Sequence, residues 1–334
     1  MKFRRGLVLI MVAGGLILCL LVAYYGFASI MAAMLAVGWG LIGIAVLHLV
    51  PMTCSALGWR ALLEPSWRAP LHVYLWIRWI RESIDGLLPV GQIGGEFIGA
   101  HILTKHGAKA NLAVASCIVD LTMEVITQFF FGLVGLGLLI GHHGYDGTVY
   151  WLAVGLSVAA LALAGFVLAQ RWGIFRLVER GLETLAGWLG VQSLGAMAGL
   201  HDAVTALHRN RLALAVSFFW HFLSWIVGAS EIWLALYLLG HPVGVGEALI
   251  LESLGQAVRS AAFVVPGALG VQEGGYIVLG GLLGLSPELA LSLSLVKRVR
   301  ELLLGLPGLV AWQIGEGRLL LRRAAGDSKG AGKR

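Results

Sequence analysis

Twice in this chain an apolar stretch long enough to cross a membrane is broken by proline, glycines and a glutamate. The first break is "LLPVGQIGGEF" at 87–97 and the second is "VVPGALGVQEGG" at 264–275. Backbone N–H and C=O groups cannot be left bare in lipid, so a broken helix survives at membrane depth only when protein buries it or a wet cavity adjoins it. Pro89 and Pro266 each remove an amide donor and interrupt a helix. The half-helix restarting after each break turns aligned N–H groups toward it, which favours negative charge. Glu96 and Glu273 stand at those two places. Each either caps its own half-helix or takes part in handling a substrate or protons.

The membrane reading itself rests on composition: 58% of the 334 residues are apolar and 13% charged, outside the range of soluble domains. At roughly 20 residues per helical span, six segments qualify as full spans: 7–25, 28–50, 110–140, 149–170, 212–239 and 287–313. Regions 71–106 and 243–284 contain the breaks. The basic N-terminal run has features of a signal peptide. A bulky Leu before Cys19 and a second apolar segment directly after favour an uncleaved first span. Cys19, Cys54 and Cys117 lack metal-like spacing and read as packing residues.

Lys and Arg collect at "KFRR", in the 51–70 loop, at Lys105 and Lys109, in 171–211 and in the tail, whereas 141–147, 240–244 and 284–288 carry none. Positively charged loops stay cytoplasmic, so both termini are expected inside. Regions 71–106 and 243–284 must then each enter and leave on one side, as re-entrant hairpins of opposite orientation. Sliding the chain over itself by 177 residues places Pro89 on Pro266, Glu96 on Glu273, Gly107 on Gly284 and Glu124 on Glu301, with eight identities in 47 pairs across 78–124 and 255–301. The expected architecture is an all-α polytopic membrane protein with six full spans, two opposed hairpins and an inverted repeat. It forms a single membrane domain, with halves at 1–141 and 149–313, an interfacial amphipathic segment at 171–211 and a basic cytoplasmic tail at 314–334.

Ionisable residues in apolar segments mark function, because burying a charge in a bilayer is costly. The substrate-binding candidates are Glu96, Glu273, Arg259, Lys297, Arg298, Glu301, Asp120, Glu124 and Arg81. Asp120 and Lys297 lie about ten residues into their spans, about 15 Å deep at the helical rise. The offset superposes these opposite charges, which suggests a salt bridge or a shared polar cluster between halves. Snorkelling to the surface is the alternative for Arg78 and Arg81. No metal-ligand spacing, P-loop or G-x-S-x-G elbow is present, so no metal, cofactor, nucleotide-driven pump or nucleic-acid partner is expected.

Over nearly its whole length the chain resembles a known family. "PVGQIGGEF", "DLTME", "PGALGVQEGGY" and "SLVKRVREL" resemble the flippase-like membrane family that includes the membrane domain of lysylphosphatidylglycerol synthase (MprF). "ESLGQAVRSAAFVVPGALGVQEGGY" and "LVKRVRELLLGLPGLVAWQ" look closest to its hopanoid-associated HpnL subgroup. The resemblance implies a bacterial inner-membrane protein that moves a hopanoid, polyprenyl or phospholipid headgroup across or out of that membrane, with hopanoid biosynthesis or export proteins as partners. It carries function onto Glu96, Arg259, Glu273, Arg298 and Glu301. The sequence departs from the synthase in showing no soluble aminoacyl-transferase domain, so lysyl transfer to lipid is not among the expectations carried over. A membrane enzyme acting on such lipids and a scaffold for hopanoid enzymes are the rival classes.

Overall fold

The structure is a computed structural model that describes residues 35, 37–65, 68–88, 94–171, 199–262, 266–268 and 270–331. Among them the chain is helical, with no strands. The helices are α1 (Gly40–Leu62), α2 (Leu71–Leu87), α3 (Gly94–Lys105), α4 (Ala110–His143), α5 (Gly147–Arg171), α6 (Leu200–Arg209), α7 (Arg211–Leu238), α8 (Val245–Ala261), α9 (Val271–Leu282) and α10 (Pro287–Ala331), with a 3-10 turn at Pro266–Ala268. Four of them, α1, α4, α5 and α7, are long and apolar enough to cross a membrane. Helix α10 has the length but carries Lys297, Arg298, Arg300 and Glu301. The expected span at 7–25, the turn at 89–93 with Pro89, Cys19 and most of the 171–211 segment lie outside the described residues.

Local chemistry sets the boundaries. Three long helices start on side-chain caps that accept otherwise orphaned N–H groups. Asp146 accepts from Val149 (2.8 Å), Asn210 from Ala213 (3.1 Å) and Ser286 from Leu289 (3.3 Å). Gly107 and Gly284 hold φ of +96° and +79°, conformations that let α3 and α9 end sharply before the next helix. In α2, Val73, Ile77, Ile80 and Ile84 are buried at helical spacing, which leaves its polar residues on other faces.

One expectation needs correction. The span expected at 28–50 continues as helix through Pro51 to Leu62, so the 51–70 loop shrinks to about its last eight residues. Beside the proline, Ser224 donates to the Pro51 carbonyl at 2.8 Å and Thr53 donates to that of Leu49 at 2.6 Å. Arg68 closes the helix end by donating to the carbonyls of Leu63 (2.5 Å) and Ala61 (3.3 Å). At the far end of the 171–211 segment, α6 packs Leu200, Val204 and Leu207 onto the protein core.

The apolar side chains form two separate cores. One gathers Trp59, Leu62, Tyr74, Ile77, Val119, Leu200 and their neighbours; the other gathers Leu41, Ile44, Leu136, Leu139, Ile232, Leu251, Tyr276 and Leu293. Helices α1, α4 and α7 run through the space between them, and residues 48–55, 120–128 and 217–231 fall there. Shifting by 177 residues carries the bounds of α3 onto those of α9 and the start of α4 onto that of α10. The packing follows the same exchange: α4 meets α8 as α10 meets α2, α1 meets α2 as α7 meets α8, and α1 packs on α7 itself. At the first two contacts a glycine admits a serine: a Cβ on Gly135 would meet Ser253 Oγ at 1.7 Å, and one on Gly308 would meet Ser83 Oγ at 2.0 Å. Small residues of this kind let membrane helices approach closely.

Candidate functional site

Between the two cores lies a cavity of about 500 Å³ walled by α1, α2, α3, α4, α7, α8 and α10. Its charged lining comprises Arg78, Arg81, Arg259 and Arg300 against Glu82, Asp85, Glu96, Glu124, Glu231, Glu252 and Glu301, with His48 between them. Asp120 and Glu273 stand just behind, so nine of the chain's 18 acidic residues cluster at this level. Charges this far from bulk water need close partners.

The partners come from neighbouring helices. Arg78 of α2 grips Glu124 of α4 with both terminal nitrogens (2.8 and 2.7 Å) and Glu82 with Nε (2.8 Å). Arg81, one turn on and 2% exposed, joins Asp120 (2.8 Å) to Glu96 and lies 5.0 Å above the centroid of the Trp59 ring. Asp120 also accepts from His221 of α7 at 2.9 Å. On the other wall Arg259 of α8 pairs with Glu301 of α10, which Arg298 approaches at 3.5 Å. Lys297 pairs with Glu252 at 2.5 Å and lies over the Tyr276 ring. Arg300 stands 3.2 Å from Glu231 of α7. His48 faces Glu231 with Nδ1 (2.6 Å) and Glu82 with Nε2 (3.0 Å). Gln128 bridges α4 to α8 through Ser260 Oγ (2.5 Å) and the Gln256 carbonyl (3.1 Å).

Of the nine residues singled out in the sequence, Arg81, Glu96, Glu124, Arg259 and Glu301 form the cavity wall. Asp120, Glu273, Lys297 and Arg298 sit behind it in ion pairs. The direct Asp120 to Lys297 bridge is not formed, because each residue meets a nearer opposite charge, Arg81 and Glu252 respectively. Neither Arg78 nor Arg81 snorkels; both turn inward onto carboxylates. His48 and Glu231 were missed, although each is an isolated ionisable group in an apolar span, a signal of function in itself. Cys54 and Cys117 are buried thiols, as packing residues would be.

The chain is thus an all-α polytopic membrane protein with a charged cavity between two apolar cores. It belongs to the family described as the lysylphosphatidylglycerol synthase TM region, which it matches over residues 6–308. It is also similar to a UPF0104 membrane protein of Methanothermobacter thermautotrophicus, with 23% identity over 318 residues that cover 89% of each chain. No solved structure matches it.

Proposed function

We propose that this chain moves a lipid between leaflets or out of the inner membrane by passing its polar headgroup through the central cavity while the tail stays among apolar helices. The observation that carries this reading is the cavity itself: a space lined by charged side chains, walled by helices from both halves of the sequence and lying between two apolar cores. Exchange of α1–α4 with α7–α10 preserves the packing pattern, which supports two repeat halves; the distribution of Lys and Arg favours opposite orientations for them, with both termini cytoplasmic. Rocking of one half against the other would open the cavity to each side in turn. The cargo is a hopanoid, polyprenyl lipid or phospholipid. The HpnL-like motifs favour the hopanoid, and Glu96, which lines the cavity and has one carboxylate oxygen without a hydrogen-bond partner, is suited to accept from its hydroxyl groups.

Mass spectrometry of lipids that copurify with the intact chain tests this reading. A discrete lipid class enriched over the host membrane, and reduced in Glu96→Gln, is the expected result. A lipid profile equal to that of the bulk membrane in both proteins would contradict it.

A further inference from the structure

His48 has more partners than a single imidazole can serve at once. Its Nε2 lies 3.0 Å from Glu82 Oε2 and 3.3 Å from Arg300 Nη1, while Nδ1 lies 2.6 Å from Glu231 Oε1. A guanidinium only donates and an ionised carboxylate only accepts. Nε2 can therefore serve Arg300 only when bare and Glu82 only when it carries a proton, with Nδ1–H given to Glu231 in both states. The four side chains come from four helices, α1, α2, α7 and α10, and all line the cavity. The other charges facing this group are Arg78, which holds the second oxygen of Glu82 at 2.8 Å, and the Lys297 and Glu252 pair of α10 and α8 beyond Glu231.

We propose that His48 Nε2 is a proton-binding site that sets how the helices around the cavity are tied together. Bare, it accepts from Arg300 and ties α1 to α10. Protonated from cavity water, it donates to Glu82 and ties α1 to α2, leaving Arg300 to Glu231, whose Oε2 is already 3.2 Å from its Nε. Only a proton is exchanged with water, and no other bond changes. As a control on movement of the halves, the site rests on the transport reading; as a proton site it does not.

The test is nitrogen NMR of the full chain, labelled at histidine, in lipid nanodiscs between about pH 5 and 8, the range in which an ordinary imidazole changes charge. His48→Gln, or His48→Asn should the first not insert, assigns the resonance. The expected result is that Nε2 of His48 passes from bare to protonated within this range, and that lipid translocation by the same protein follows the same profile and loses its pH dependence in the variant. A resonance that holds one state throughout overturns the proton site, whether or not lipid moves. A titrating Nε2 in a protein that moves no lipid upholds the proton site and overturns the transport reading instead.

Discussion

The two breaks share a motif position but divide the labour differently. In the first, the N–H of Gly95 is taken at 2.8 Å by Asp85, from the preceding half-helix. Glu96 is left to pair with Arg81 and to face the cavity. In the second, Glu273 caps its own helix, accepting from Gly270 N–H at 2.7 Å, and meets Arg298 at 3.2 Å. It is 3% exposed and stands off the cavity wall. The second break also holds Ala268 at a φ of +49°, fully buried, a left-handed conformation costing an L-residue about 1–2 kcal/mol. Equivalent glutamates therefore serve as a cavity group on one side and as a built-in cap on the other. A repeated motif marks equivalent places in the fold without assigning equal roles.

The sharpest way to break this comparison is to remove the arginine of each glutamate. Arg81→Ala leaves Asp120 and Glu96 buried without their cation, a change expected to destabilise by about 3–5 kcal/mol. Arg298→Ala should cost less, because Glu273 keeps Gly270 N–H and lies 3.5 Å from Ser294. Thermal unfolding in detergent compares the two, and equal losses would mean that both breaks depend on their arginine alike. Next in size, Gly135→Ala and Gly308→Ala each force a methyl onto a serine at a crossing related by the exchange of halves. Each should cost about 1–3 kcal/mol, and a large loss at one with none at the other would argue against equivalent packing. The smallest effect is expected for Asp85→Ala, which removes a helix cap worth about 1 kcal/mol. It should lower the unfolding temperature by less than either glycine substitution.

Much of the fold was legible because span length and proline leave few options in lipid. The long runs at 110–140, 149–170 and 212–239 are helices with nearly those limits, and the 177-residue offset places α3 on α9 and α4 on α10. Helix α1 was misjudged at its far end because "PMTCSALGWRAL" is less apolar and begins with proline. The serine on α7 that bonds the Pro51 carbonyl is 173 residues away and invisible to local reading. The site was legible as residue types at a depth, not as pairs. Asp120 and Lys297 do occupy equivalent places, but which carboxylate each cation meets depends on helix rotation, which periodicity does not fix. His48 and Glu231, 183 residues apart, come together only through the packing of α1 on α7.

The central claim, that a lipid headgroup passes through the cavity at Glu96, is tested most directly in liposomes. Purified chain would be reconstituted with fluorescent lipids bearing phospholipid, polyprenyl or hopanoid groups, and an impermeant quencher would report arrival at the outer leaflet. The account predicts that the wild-type protein brings one of these classes to the quencher, and that Glu96→Gln, folded to the same unfolding temperature, does so at the rate of protein-free vesicles. Transport by Glu96→Gln at the wild-type rate, or no transport of any class by the wild-type chain, would contradict it.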